Sequence, residues 1–119
     1  MKAIGVDLVE NQRIKQLLEK SGERFLTRVF TPQERHYCAN RITSLAARWA
    51  AKEAMGKAFG TGIGDMAFKE IEILNDERGR PYIRLHGAAK TLADSLGFEH
   101  IAVSLSHTEN YAIAFVVVD

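Results

Sequence analysis

The segment Arg48-Trp49-Ala50-Ala51-Lys52-Glu53-Ala54-Met55-Gly56-Lys57 predicts the helix around which the rest of the chain folds. At about 3.6 residues per turn, Trp49, Glu53 and Lys57 share one stripe of such a helix. Its other side is filled by small residues, which are Ala47, Ala50, Ala51, Ala54 and Ala58. Because small side chains let a helix lie close to a sheet, we expect this helix to pack directly against strands.

The charged side of this helix combines one carboxylate, Glu53, with the cations Arg48, Lys52 and Lys57. A carboxylate can hold a metal ion while cations contact phosphate oxygens, so the pattern is typical of a site for a metal-bound polyphosphate. An exposed helix face with an ordinary Glu53–Lys57 ion pair is the alternative. The remaining sequence has to decide between the two interpretations.

Composition indicates one globular domain over residues 1–119, since 46% of the residues are hydrophobic and 26% are charged. The net charge of +1 argues against a nucleic-acid binder that works through a global positive field. A single cysteine, Cys38, excludes an intrachain disulfide and favours a reduced, cytoplasmic protein. The short apolar run before Asp7 predicts neither a signal peptide nor a membrane span.

The first strand is predicted over residues 3–9 from its alternating pattern. Ile4, Val6 and Leu8 form an apolar stripe that we expect to face the core. Gly5 and Asp7 then lie on the opposite face, where the glycine leaves room for a ligand. A surface aspartate at a strand end is the competing interpretation of Asp7.

Three helices follow the first strand. Residues 11–30 have helical spacing with a break near Ser21-Gly22, and Thr31-Pro32-Gln33-Glu34 is a strong helix start whose helix ends near Asn40. Thr43 is the predicted cap of the central helix over residues 44–59, which the glycine-rich segment 60–64 ends.

The second half predicts a hairpin over residues 71–85, a short helix over 88–96 and a hairpin over 101–118. The resulting order β-α-α-α-β-β-α-β-β indicates a small α+β domain. Its mostly antiparallel sheet packs with the long central helix and with shorter helices.

The predicted helix over residues 11–30 carries a local positive excess of five cations over two acids. Its cations include Arg13, Lys20, Arg24 and Arg28, and the last two share a helix face at spacing i,i+4. A solvated helix face explains such a run, and so does a docking surface for an acidic partner.

Two motifs resemble a known family. Ile4-Gly5-Val6-Asp7 and Arg48-Trp49-Ala50-Ala51-Lys52-Glu53-Ala54 with Lys57 are similar to the paired signature of the 4′-phosphopantetheinyl transferases. The chain length and Ser104-Leu105-Ser106-His107-Thr108 resemble, more narrowly, the holo-acyl-carrier-protein synthase family. The resemblance extends over essentially the whole chain.

The resemblance implies transfer of the phosphopantetheine arm from coenzyme A to a serine of apo-acyl carrier protein, with release of adenosine 3′,5′-bisphosphate, in support of fatty acid biosynthesis. Charge develops on phosphate oxygens in such a reaction, so a hard divalent cation and fixed positive groups suit it. Asp7 and Glu53 are the implied Mg²⁺ ligands, and Lys57 completes the implied catalytic set. Whether Glu53 or a metal-bound water takes the serine proton stays open at this point.

Coenzyme A contacts are expected from three places. The central helix supplies Arg48, Lys52 and Lys57, while the predicted turns supply Gly79, Arg80 and Pro81 and also Ser106, His107 and Thr108. A histidine in a hairpin turn is also common without any ligand. The acidic carrier protein is expected on Arg13, Lys20, Arg24 and Arg28.

Self-association is predicted from the last strand, because residues 112–118 are apolar on both faces and a small monomer covers only one of them. The resemblance implies a homotrimer with active sites between subunits. We expect Asp7, Glu53 and Lys57 from one subunit, with His107 and the Gly79-Arg80-Pro81 turn from the next.

Two other function classes fit parts of the sequence. A metal-dependent phosphohydrolase or nuclease would use Asp7 and Glu53, although two-metal nucleases generally need more clustered acids. A non-catalytic module would use only the basic helix face. Such a module has no need for the two carboxylates, so metal titration distinguishes it.

Overall fold

The computed structural model describes residues 2–119, and its elements follow the predicted order. The strands are β1 (Ala3–Glu10), β2 (Ile71–Asn75), β3 (Pro81–Leu85), β4 (Ile101–His107) and β5 (Tyr111–Val118). The helices are α1 (Asn11–Val29), α2 (Pro32–Cys38), α3 (Ile42–Phe59) and α4 (Gly87–Ser95), and a single 3₁₀ turn spans Phe68–Glu70. The α+β class with antiparallel sheets is therefore confirmed. No helix in the described part of the chain has the length and apolar character of a membrane span.

The core of the fold is α3 lying across a three-stranded antiparallel sheet in the order β1-β5-β4. The predicted small face of α3 is confirmed, because Ala47, Ala50, Ala51, Ala54 and Ala58 are all buried. The closest approach is at Gly5, where a Cβ atom would lie 1.8 Å from the carbonyl oxygen of Ala54. Only glycine permits this crossing, which brings β1 directly onto the segment of α3 that carries Glu53.

The predicted orientation of β1 is wrong. Gly5 and Val9 face α3 and the core, whereas Ile4, Val6 and Leu8 face outward and are exposed. The alternation itself is correct, but it does not reveal which face meets the helix. The space beside Gly5 is filled by the backbone of α3, so it is not room for a ligand.

The helix boundaries follow local chemistry with one exception. Gly22 has non-helical angles inside α1 (φ 47°, ψ −119°), which confirms the predicted break. Thr31 and Glu34 form a capping box at α2, and Gly60 ends α3 in the left-handed region. Thr43 is not the cap of α3, because that helix already begins at Ile42 and has Arg41 at its N-cap without a side-chain cap.

A second, two-stranded sheet of β2 and β3 is joined to the helices by a buried ion pair between Lys52 of α3 and Glu34 of α2. Both side chains are fully buried and their charged atoms are 2.9 Å apart. The Lys52 ammonium also donates to the carbonyls of Phe68 and Ile71, and the Glu34 carboxylate accepts the amide of Ile73. This network fixes α2 and β2 on α3.

Candidate active site

Asp7, Glu53 and Lys57 come together where β1 crosses α3. Asp7 is on the face of β1 that meets the helix, and its carboxylate lies 3.1 Å from the Lys57 ammonium. The Asp7 side chain is 17% exposed and that of Lys57 is 55% exposed, so the pair stands at the surface edge of the core. The structure thus assembles the three residues that the sequence singled out as catalytic.

The electrostatics of the cluster centre on Glu53, which is partly buried. Burial raises the pKa of the Glu53 carboxyl, and the nearby Asp7 carboxylate raises it further. Arg13 and Lys57 act in the opposite direction and lower this pKa. Two neighbouring carboxylates that disfavour each other's charge are an arrangement that a bound cation relieves.

The donor set fits a hard divalent cation. Residues 2–119 contain no group of three or more His, Cys, Asp or Glu side chains arranged for a metal ion, and the cluster itself offers two carboxylates. Mg²⁺ is commonly held by one or two carboxylates, with phosphate oxygens and water in the remaining positions. Asp7 and Glu53 are the two carboxylates of the cluster, and they would be the residues to hold such a cation.

The prediction that Lys52 contacts coenzyme A is wrong. Its ammonium is fully buried, and its three hydrogen bonds go to Glu34 and to two backbone carbonyls. Burial lowers the pKa of Lys52, and the Glu34 carboxylate counteracts that effect. Lys52 therefore belongs to the frame of the molecule, although its neighbour Glu53 belongs to the site.

Arg48 is buried as well, and it holds the β2–β3 hairpin. Its guanidinium donates to the Asn75 side chain at 2.8 Å and lies 4.5 Å from the centre of the Tyr37 ring. Asn75 in turn donates to the carbonyl of Gly79, in the exposed turn that also contains Arg80. The predicted coenzyme A contacts of Arg48, Gly79, Arg80 and Pro81 stay predictions.

Within one chain, Arg48 and the turn that it supports are far from Asp7, Glu53 and Lys57, which we call the acidic cluster. Arg48 and Lys57 are nine positions apart on α3, which places them on opposite sides of the helix and about 13 Å apart along its axis. The β2–β3 turn, which Arg48 supports, therefore lies on the other side of α3 from Asp7.

Ser106, His107 and Thr108 form an exposed end of the β4–β5 hairpin. His107 pairs with Ala112, which pairs with Val9 of β1. His107 thus lies two strands, or about 10 Å, from β1. Among the described residues, no hydrogen bond or ion pair joins His107 to the acidic cluster. Its coenzyme A contact stays a prediction.

A groove runs along α1 and opens at Glu53. Three of the four predicted partner-binding cations line it, namely Arg13, Arg24 and Arg28. Its apolar wall includes Phe25, Trp49 and Phe68, and the rings of the last two stack at 5.0 Å. Lys20 lies before the Gly22 kink and does not line this groove. The basic surface is therefore continuous with the acidic cluster.

Sequence reasoning missed one neighbour of the site, Arg13, and one buried partner in the frame, Glu34. Arg13 was expected to serve only a partner, yet it lies close enough to Glu53 to lower its pKa and it stacks 5.5 Å from the Trp49 ring. Glu34 was recognised only as half of a capping box. An acid at a cap and a lysine in a predicted apolar helix are a weak signal for a buried pair, because either residue is usually exposed.

An apolar surface remains on the outer face of the three-stranded sheet. Cross-strand pairing places the outward residues of β1 beside those of β5, which makes one continuous patch. The exposed members of this outer sheet face are Ile4, Val6, Leu8, Tyr111, Ile113 and Phe115. The opposite face of β5 is completely buried, so only one of its two faces is covered within the chain.

Comparison with known proteins gives consistent matches over the full length. The family model described as the 4′-phosphopantetheinyl transferase superfamily matches residues 3–116. The Holo-[acyl-carrier-protein] synthase of Ruminiclostridium cellulolyticum is 52% identical, with 97% of this chain and 90% of that protein covered. The crystal structure of the Neisseria meningitidis holo-[acyl-carrier-protein] synthase is similar at a TM-score of 0.91, with 36% identity over 100% of this chain and 98% of that one. The Helicobacter pylori holo-[acyl-carrier-protein] synthase, crystallised in complex with coenzyme A, has a TM-score of 0.90 and 34% identity, with 98% and 99% covered.

Proposed function

The chain belongs to the holo-acyl-carrier-protein synthases of the 4′-phosphopantetheinyl transferase superfamily, and from this we propose its reaction in detail. It transfers the 4′-phosphopantetheine group from coenzyme A to a serine of apo-acyl carrier protein and releases adenosine 3′,5′-bisphosphate. The reaction depends on Mg²⁺ and supports fatty acid biosynthesis in the cytoplasm. The observation that carries this proposal is the meeting of Asp7, Glu53 and Lys57 at the crossing of β1 and α3.

Each residue of the cluster has a role in this reaction. Asp7 and Glu53 would hold Mg²⁺, which when bound neutralises charge that develops on the phosphate oxygens. Lys57 has an exposed ammonium and contacts the diphosphate of coenzyme A, for which it exchanges its ion pair with Asp7. Arg13 adds fixed positive charge beside Glu53. Positioning and electrostatics of this kind are sufficient for phosphoryl-type transfer without a covalent nucleophile.

Intact-mass spectrometry of a carrier protein tests the reaction. Apo-acyl carrier protein is incubated with the enzyme, coenzyme A and Mg²⁺, and the expected result is a mass gain of one phosphopantetheine group. A carrier whose acceptor serine is replaced by alanine is the matched control. Hydrolysis of plain phosphate esters without any mass gain of the carrier would instead support the phosphohydrolase alternative.

The groove beside α1 supports the carrier protein as the second substrate. Arg13, Arg24 and Arg28 surround an apolar wall that leads to Glu53. An acidic carrier that docks on these arginines brings its serine toward Glu53 at the end of the groove. Charge complementarity of this type accelerates encounter and fixes orientation. Lys20 lies on the N-terminal side of the kink, as Arg13 does, but it does not line the groove.

The outer sheet face supports self-association, and the family resemblance supplies its order, a homotrimer. Large exposed apolar patches on small proteins mark interaction surfaces, and this one spans two neighbouring strands. In one chain the β2–β3 turn and the acidic cluster are on opposite sides of α3. A trimer allows the Gly79-Arg80-Pro81 turn and His107 of one subunit to complete the coenzyme A site of the next, together with Ser106, Thr108 and Arg48.

Light scattering tests the trimer and should give about three times the chain mass of 13.3 kDa. Leu8 is the most exposed of these outer residues, at 61%. Leu8→Asp should therefore dissociate the assembly. Leu96→Asp is the matched control, because Leu96 is also exposed but lies at the end of α4. A monomeric native chain, or a trimer that survives Leu8→Asp, would contradict this assembly.

Mixed trimers test whether the site is shared between subunits. Asp7→Ala and His107→Ala chains, once each has been shown to be inactive alone, are refolded together. Some clefts then combine an intact Asp7 with an intact His107 and recover transfer. Absence of recovery in preparations shown to contain mixed trimers would place both residues in the site of a single subunit.

A further inference from the structure

Asn11, the first residue of α1, is tied to the β4–β5 turn by three hydrogen bonds. Its side-chain amide donates to the carbonyls of Thr108 and Glu109, both at 3.0 Å. Its backbone amide donates to the carbonyl of Asn110 at 2.9 Å. One residue thus satisfies three consecutive carbonyls of a turn that lies 97 positions further along the chain. The turn's own side chains are exposed and contribute no buried packing.

The carbonyl oxygen of the Asn11 side chain indicates that stability alone does not account for an asparagine at this position. Asn11 is 5% exposed, and its Oδ1 atom is buried without a hydrogen-bond partner among residues 2–119. Leaving a buried polar atom unsatisfied disfavours the folded state. A leucine of similar size would fill the same space without that defect. Asparagine differs from leucine here by the two hydrogen bonds that it donates to the turn.

The position of Asn11 connects two parts of the site described above. It lies four residues after Asp7, directly at the end of β1, and it holds the turn that follows His107. Thr108 closes the same turn from within, since its hydroxyl accepts the amides of Asn110 and Tyr111. A turn whose carbonyls are fixed from outside holds its exposed side chains in one orientation.

We propose that Asn11 is a positioning residue for coenzyme A, which acts by fixing the β4–β5 turn so that His107 and Thr108 meet the coenzyme. The proposal rests on the proposed function and adds a residue to it that the paired motifs do not contain. Asn11 itself touches neither the coenzyme nor the reacting atoms. Its removal should therefore weaken coenzyme binding and leave the chemical step and carrier docking intact.

The test compares Asn11→Leu with the native chain in steady-state transfer assays. Asn11→Leu keeps the backbone bond to Asn110 and removes only the side-chain bonds to the turn. The expected result is a KM for coenzyme A that rises roughly three- to tenfold, with kcat and KM for the carrier within about twofold of native, as for a lost binding contact. Gln12→Leu is the matched control, since Gln12 is the next residue, is exposed and should leave all three parameters unchanged.

Folding is measured on the same preparations by urea unfolding, and Asn11→Ser serves as a second, smaller variant. A folded Asn11→Leu chain with a native KM for coenzyme A would overturn the proposal. So would loss of folding in both variants, or an equal impairment of all three parameters, with kcat lowered and both KM values raised, because either result assigns Asn11 to stability alone. Native chain that fails to transfer phosphopantetheine at all would instead contradict the proposed function, which separates the two failures.

Discussion

Lys52 and Glu53 are adjacent on α3, yet their charges have opposite surroundings. The Lys52 ammonium is completely buried and reaches Glu34 and two carbonyls, which satisfies all of its protons. The Glu53 carboxyl is partly open and lies near another carboxylate, with the nearest cations on other elements or a turn away. The charge of Lys52 is therefore compensated by partners within the chain, whereas the charge of Glu53 is only partly compensated.

This difference in compensation distinguishes charged residues that hold the fold together from those that are available to bind a ligand. A buried pair with every donor and acceptor satisfied holds elements together and has nothing left to offer a ligand. An incompletely compensated carboxylate at an open edge is disfavoured in the free protein and becomes favourable when a cation binds. We therefore assign Lys52 with Glu34 to the frame and Asp7 with Glu53 to the site.

The largest expected effect concerns the frame. Lys52→Met leaves the Glu34 carboxylate buried without its cation, so the free energy of unfolding should fall by about 3–5 kcal/mol in urea denaturation. Lys57→Met is the matched control on the same helix, and it should change the free energy of unfolding by less than about 1 kcal/mol because the Lys57 side chain is 55% exposed. The double variant Lys52→Met with Glu34→Leu should recover only part of the loss, because leucine leaves the buried Ile73 amide without its acceptor. Equal destabilisation by Lys52→Met and Lys57→Met would contradict the distinction between a buried structural lysine and an exposed one.

The second effect concerns the site. Asp7→Ala and Glu53→Gln should each reduce transfer at least about a hundredfold, or roughly 2.7 kcal/mol in the barrier, because neither carboxylate alone holds the cation. Both variants should retain native circular dichroism. The assay is repeated over a range of Mg²⁺ concentrations, since excess cation can partly restore a weakened site. Near-native turnover by either variant at moderate Mg²⁺ would contradict the assignment.

A smaller effect, on binding of the carrier protein, is expected from the arginines of the groove along α1. Replacing Arg24 and Arg28 by Glu should raise KM for the carrier about tenfold and leave KM for coenzyme A unchanged. Added salt should reduce the difference, because exposed charges are screened over about 10 Å at 0.1 M. Lys15→Glu is the control, as Lys15 is exposed on α1 outside the groove. An equal rise in KM for coenzyme A would assign these arginines to the nucleotide instead.

The smallest effect is a gain in stability. Because the pKa of Glu53 is raised in the folded chain, folded protein binds its proton more tightly than unfolded protein, and stability is lost as pH rises through that window. Glu53→Gln should therefore raise the free energy of unfolding at pH 7, and this gain should disappear once the pH falls below the pKa of an unfolded glutamate. Exposed Glu99→Gln should show no such gain. A neutral-pH loss of stability in Glu53→Gln would contradict the raised pKa.

Much of the fold was predictable because its signals are local. The capping box at Thr31, the break at Gly22 and the glycine at the end of α3 each act within a few residues. The outward direction of the Ile4, Val6 and Leu8 stripe was not predictable, because it depends on the long-range contact between Gly5 and Ala54. An apolar stripe usually faces the core of its own chain, whereas this one is exposed on the single chain.

The grouping of Asp7, Glu53 and Lys57 was predictable from the sequence, but the burial of Lys52 beside them was not. Asp7, Glu53 and Lys57 are recognisable from two motifs whose chemistry needs them together. Lys52 has the same charge as Lys57 and sits in the same motif, so its burial depends on Glu34, which lies 18 positions earlier and on another helix. Helical spacing alone does not locate that partner.

The most direct measurement of the central claim is calorimetric titration of Mg²⁺ into the native chain saturated with coenzyme A, repeated with Asp7→Asn and Glu53→Gln. The account predicts binding to the native chain and its loss in both variants, whereas Lys57→Met retains a measurable site because it lacks neither carboxylate. Unchanged Mg²⁺ binding after either carboxylate is neutralised would contradict the claim that these two residues hold the cation.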